Sequence, residues 1–126
     1  MKRILLADDD AGIRDGLARL LSPRYEVVTA RDGESALAEI ARRPVDLVVL
    51  DMFMPLVDGE KALESMRARG LTTPVILMSS RRLDRTRALG ADDCLAKPFA
   101  FRTLEEKIER LLGPGGPPSS RASFAG

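Results

Sequence analysis

Histidine and tryptophan are absent from this sequence of 126 residues, and cysteine and tyrosine occur once each. Without histidine there is no Ser/His/Asp or Cys/His nucleophile pair and no zinc site of the finger type, and a single cysteine allows no internal disulfide. One cysteine suits a reducing compartment. A long apolar run is also missing. Met1-Lys2-Arg3 is followed only by Ile4 to Ala7 before three aspartates, too short for a signal peptide or a membrane span. The expected location is therefore the cytoplasm, with no membrane partner. Neither charge dominates, since 20 Lys and Arg stand against 19 Asp and Glu. With 44% hydrophobic and 31% charged residues, the chain has the composition of one ordinary globular domain. The chemistry left to it rests on carboxylates, hydroxyls and lysine.

Short β-branched runs, Ile4 to Ala7, Val45 to Leu50 and Val75 to Met78, have the composition of strands buried on both faces of a parallel sheet. Glu26 to Thr29 and Cys94 to Ala96 are weaker strand candidates. Between them lie segments of helical period: Ile13, Leu17, Leu20 and Leu21; Ala36, Leu37, Ile40 and Ala41; Ala62, Leu63 and Met66; and Leu104, Ile108, Leu111 and Leu112. Asp10, Asp32 and Asp58 stand where helix N-caps belong, and Gly70, Gly90 and Gly113 where helix ends favour positive φ. The pattern predicts a doubly wound α/β fold, (βα)5, on a five-stranded parallel sheet, spanning residues 1–112. Residues 113–126, rich in Gly, Pro and Ser, read as a disordered tail or the start of a linker.

In such a sheet the functional rim is built from loops leaving the carboxyl ends of the strands. The first strand ends at Asp8-Asp9-Asp10, the third at Asp51, the fourth at Ser79-Ser80 and the fifth at Lys97-Pro98. Each feature alone is ordinary; a triple Asp is commonly a solvated loop with a cap. Together they bring an acidic cluster, a hydroxyl and an ammonium to one edge. Asp8, Asp9 and Asp51 held close repel one another and so invite a hard divalent cation, for which Mg²⁺ is the natural choice. A carboxylate beside such a cation and an ammonium can attack a phosphoryl group, giving an aspartyl phosphate.

Four blocks carry a family resemblance: Ile4 to Asp10; Val48 to Pro55 with Asp58-Gly59; Pro74 to Ser79; and Gly90 to Phe99. Together, over about residues 2 to 112, they resemble the receiver domain of two-component response regulators. The resemblance implies strand order 2-1-3-4-5, as in flavodoxin-like chemotaxis regulators, and Asp51 as phosphoacceptor. It also implies Asp9 as a direct Mg²⁺ ligand, Asp8 as a ligand through water, and the backbone carbonyl of Phe53 as a further ligand. Ser79 and Lys97 would contact the phosphoryl oxygens, and the Lys97-Pro98 bond would be cis. The implied donor is a sensor histidine kinase or a histidine phosphotransfer protein, whose histidine this chain lacks. The implied output is a downstream protein or an effector domain, and the domain is a signalling phosphoacceptor rather than an enzyme.

Two departures stand out. From Ser79 to Lys97 is 18 positions, about one helical turn shorter than the usual receiver, so the helix between the fourth and fifth strands is expected to be shortened. Cys94 occupies the position three before Lys97 where the family carries an aromatic switch residue. This favours, as an alternative, a relay intermediate or single-domain adaptor without aromatic switching. A remoter alternative is an aspartyl-phosphate hydrolase of haloacid dehalogenase type, whose Asp-x-Asp pattern meets Phe53 here. Met52, Met54 and Phe99 read as core or loop anchors, Asp92-Asp93 as a solvated turn, and Arg81 to Arg87 as a solvated helix face without direct nucleic-acid contact.

Overall fold

The computed structural model of the chain describes residues 1–80 and 90–113. Its elements are β1 (Arg3–Ala7), α1 (Ala11–Leu21), β2 (Glu26–Ala30), α2 (Gly33–Arg42), β3 (Leu47–Asp51), α3 (Gly59–Ala68), β4 (Val75–Ser79), β5 (Asp93–Ala96) and α4 (Phe101–Leu112), with strand and helix alternating from β1 to β4. All strand pairs are parallel, in the order β2-β1-β3-β4-β5. The chain leaves β1 for β2 on one side and then crosses to β3 on the other. The topological switch point therefore lies between β1 and β3, where α/β folds bind their ligands. The expected shortened helix and the basic run Arg81 to Arg87 fall on residues 81–89, and the expected tail of 113–126, apart from Gly113 at the end of α4, on 114–126, outside the described residues.

Side chains alternate between two cores. Leu5, Val48, Leu50 and Leu77 face Ala36, Ile40, Leu63 and Met66 of α2 and α3. Ile4, Leu6, Val49, Ile76 and Met78 face Leu17 and Leu21 of α1 and Leu104 and Ile108 of α4. This explains why β1, β3 and β4 read as continuous apolar runs, since both faces of each are covered. Burying each such side chain contributes about 1.5–3 kcal/mol.

Helix starts follow the caps expected. Asp10, Asp32 and Asp58 accept the N–H groups of Ile13, Ser35 and Lys61 at 3.1, 2.7 and 2.9 Å. Gly70, Gly90 and Gly113 have positive φ. Two glycines have a different reason. A Cβ on Gly59 would collide with the Asp51 carbonyl, and one on Gly33 with the Val57 carbonyl. The absence of a side chain at Gly59 thus lets α3 begin directly against the backbone of the third-strand aspartate.

One expectation is corrected. Of the expected solvated turn Asp92-Asp93, Asp92 is exposed just before β5, but Asp93 is not. Asp93 is buried at the start of β5, where its carboxylate accepts the Cys94 N–H at 2.7 Å and pairs with Lys107 at 3.1 Å and Arg110 at 3.6 Å, both on α4. Asp92 accepts the Val75 N–H and an Arg67 guanidinium bond. The cations that bury Asp93 lie a helix away in sequence, and only the docking of α4 on the sheet brings them to it.

Candidate functional site: an acidic cluster at the strand ends

The carboxyl rim gathers residues from β1, β3, β4 and the segment after β5. Asp8 follows β1, and its N–H continues the ladder to the Ala30 carbonyl at 3.1 Å. Its side chain is 0% exposed, and its Oδ1 accepts the Asp10 N–H at 2.9 Å. Asp51 is the last residue of β3 and is also buried. Its Oδ1 accepts the Phe53 N–H at 3.4 Å. Asp9, between Asp8 and the cap Asp10, is exposed. One carboxylate oxygen from each of Asp8, Asp9 and Asp51 lies within 4.8 Å of the others.

The remaining polar groups come from the next strands. Ser79 ends β4 and is fully buried. The Lys97 N–H donates to the Ser79 carbonyl at 2.8 Å, so the parallel ladder carries Lys97 to the same rim. The Lys97-Pro98 peptide is cis. The Lys97 ammonium stands 2.8 Å from Asp8 Oδ2 and 3.2 Å from Asp51 Oδ2.

This charge balance perturbs both partners. Burial, reinforced by the Asp8 charge, pushes the Asp51 carboxyl from 3.8 up to about 6, and Lys97 only partly opposes the rise. Burial alone would lower the Lys97 ammonium, yet its bonds and attraction to Asp8 and Asp51 outweigh that and hold it above its ordinary value. Among the described residues the cluster holds three carboxylates and one bonded ammonium, Lys97, which reaches two of them. Such a site gains from a divalent cation with oxygen ligands, and the three carboxylates suit one.

The loop after β3 leads from Asp51 to α3. Gly59 N–H bonds the Met52 carbonyl at 3.0 Å, and Leu56, at φ 67°, turns the chain within it. Met54 is buried in the core as an anchor, whereas Phe53 is 41% exposed. Phe99 packs against the α1–α4 core. Cys94 is half-buried on β5. Beside the rim, a groove of about 450 Å³ runs between α1 and the segment after β5, lined by Ile13, Gly16, Leu20, Lys97, Pro98 and Phe99 among others. One contact had no signal in the sequence: Arg14 of α1 donates to the Asp8 carbonyl at 3.1 Å.

The dehalogenase-type alternative does not fit this placement, since Asp51 ends β3 rather than the first strand and the position two residues on is Phe53. No helix among the described residues is long and apolar enough to cross a membrane.

Comparison with known proteins agrees with the geometry. Residues 4–109 match the family model of the response regulator receiver domain. The chain is 36% identical over 120 residues to the transcriptional regulatory protein CiaR of Streptococcus pneumoniae, covering 92% of this chain and 54% of that protein. The chain spans about half the length of the curated relatives it matches. Among solved structures, a Francisella response regulator receiver domain superposes with a TM-score of 0.84 at 30% identity, covering 89% of this chain and 97% of that one. The Thermotoga maritima response regulator TrrA, solved in complex with Mg²⁺ and BeF, superposes with a TM-score of 0.79 at 35% identity, covering 88% of this chain and 99% of that one. A rim of aspartates and lysine on a 2-1-3-4-5 sheet, matched over nearly all the described residues, identifies this chain as a member of the response regulator receiver domain family of two-component systems.

Proposed function

We propose that Asp51 is the phosphoacceptor of this receiver domain, and that Asp8, Asp9, Asp51 and the Phe53 carbonyl hold Mg²⁺ beside it. The observation that carries the reading is the Asp8–Asp9–Asp51 cluster with Lys97 bonded to its two buried members. A carboxylate oxygen of Asp51 attacks the phosphorus of a partner's phosphohistidine. The new P–O bond forms as the P–N bond breaks, and the electron pair stays with the imidazole. Lys97 and the Ser79 hydroxyl bind the phosphoryl oxygens. The cation, when bound, neutralises charge on those oxygens and on the carboxylates.

A sensor histidine kinase or a histidine phosphotransfer protein supplies the group, in the cytoplasm. The lack of histidine in the chain and the apolar groove that runs up to Lys97 support a docked protein donor. The domain acts as a switch for a downstream protein or effector domain, with no turnover of a substrate beyond its own phosphorylation and dephosphorylation. TrrA, described in complex with Mg²⁺ and BeF, is similar enough to support the cation at this rim. Cys94, small and half-buried, supports a readout that needs no aromatic ring at that position, as in a relay intermediate or adaptor.

Intact-mass measurement after incubation with acetyl phosphate and Mg²⁺ tests the assignment. One added phosphoryl group is expected in the parent and none in Asp51→Asn. Equal labelling of that variant rejects Asp51 as the acceptor.

A further inference from the structure

Arg14 lies in the second turn of α1, with its side chain 18% exposed. Its Nη1 donates to the carbonyl oxygen of Asp8 at 3.1 Å, and its Nε stands 3.7 Å from Asp15. That carbonyl belongs to the peptide joining Asp8 to Asp9. The same turn is closed from within by the Asp10 N–H on Asp8 Oδ1. The three carboxylates of the cluster are not equally held. Asp8 and Asp51 are buried with Lys97 against both, whereas Asp9 is exposed. Packing therefore does not fix the Asp9 side chain, and its place follows from the backbone that carries it. A guanidinium bonded to the carbonyl of the preceding residue gives that backbone a fixed direction.

We propose that Arg14 is a positioning residue for cation binding. By fastening the Asp8–Asp9 peptide to α1, it presents the Asp9 carboxylate to the ion shared with Asp8 and Asp51. This rests on the proposed function in taking the acidic cluster as the cation site. Two simpler roles give different signs. If only its charge mattered, removing a cation near a cation site would tighten Mg²⁺ binding, because like charges repel. If Arg14 were only a brace for the fold, its loss would lower the melting temperature and leave Mg²⁺ affinity unchanged. Loss of a group that holds a metal ligand in place weakens binding instead, commonly by about 10- to 100-fold.

The full chain, Arg14→Met and Arg14→Lys are compared by calorimetric titration with MgCl₂ and by melting in EDTA. Methionine keeps much of the apolar stem and no donor; lysine keeps a donor and the charge. The Kd for Mg²⁺ is expected to rise about tenfold in Arg14→Met and to recover substantially in Arg14→Lys. An unchanged or lower Kd in folded Arg14→Met overturns the proposal. If Arg14→Met does not fold, Arg14→Gln takes its place, with a rise in Kd again expected, and equality with the parent there overturns it as well. A parent that takes up no Mg²⁺ contradicts the cation site itself, and with it the proposed function. A parent that binds Mg²⁺ as tightly as Arg14→Met contradicts the role of Arg14 alone.

Discussion

Asp51 and Asp93 are buried aspartates of one sheet, separated by β4, and they are supplied with charge in opposite ways. Asp93 opens β5 at the amino edge, where Lys107 and Arg110 of α4 and the Cys94 N–H all reach it. Asp51 closes β3 at the carboxyl edge and shares the one ammonium of Lys97 with Asp8, while Asp9 adds a third negative charge to the cluster. A buried carboxylate with its own cations fastens a helix to a sheet. One left short of cations keeps an elevated proton affinity and a standing demand for positive charge from outside. The fold thus places its satisfied ion pair at the amino edge of the sheet and its unsatisfied one at the switch point.

The largest effect is expected at Lys97. Replacing it with methionine leaves Asp8 and Asp51 buried without their shared partner, and Lys97→Met is expected to lose about 3 kcal/mol at pH 8 in EDTA, read by urea unfolding. Much of that loss should return at low pH, where Asp51 takes up a proton, or on adding Mg²⁺. A loss that ignores both pH and Mg²⁺ would mean that the lysine acts through packing.

Asp93→Asn sharpens the other side. It removes the charge that Lys107 and Arg110 share, and since Arg110 is largely exposed, the expected loss is about 1–2 kcal/mol at pH 7. Mg²⁺ should not repair it. A restored melting temperature in Mg²⁺ would place a cation site at the amino edge too.

The smallest effect belongs to a third aspartate. Asp32 caps α2, and the Ser35 N–H on its carboxylate holds its carboxyl below the ordinary range. Asp32→Ala is expected to lose about 1 kcal/mol. The folded chain binds this proton less tightly than the unfolded chain does. The contribution is therefore full above the unfolded value near 3.8 and lost as pH falls through the lowered folded value. The pH sense is opposite to that of Asp51, so melting curves from pH 3 to 7 separate the two groups.

Much of this arrangement is legible in the chain because it is local. Apolar runs fix where β1, β3 and β4 end, and so bring Asp8, Asp51 and Ser79 to one rim; Asp10, Asp32 and Asp58 stand at the helix starts they cap. Asp93 was hidden for the opposite reason. Beside Asp92 it resembles an acidic turn, and the cations that bury it lie 14 and 17 residues on, brought close only by the docking of α4. Arg14 reads as one more charge on an amphipathic helix, and its bond to a carbonyl leaves no pattern in residue type. Gly33 looks like a weak first helical residue until the Val57 carbonyl of a distant loop is found against it. Periodicity reports faces and ends, whereas pairing between elements depends on how those faces meet.

On the proposed function, the carboxyl rim sacrifices stability to keep Asp51 ready for a cation and a phosphoryl group. Raised from 3.8 to about 6, the Asp51 carboxyl holds its proton more tightly in the folded chain than in the unfolded one. Its favourable contribution is therefore greatest below pH 4 and is lost as pH rises through about 6, a change of about 2–3 kcal/mol. The direct measurement is urea unfolding of the parent and Asp51→Asn in EDTA from pH 3.5 to 8. Asp51→Asn should be the more stable chain at pH 8, with the advantage fading toward pH 4 and shrinking when Mg²⁺ is added. A variant less stable than the parent at pH 8 in EDTA would contradict the account.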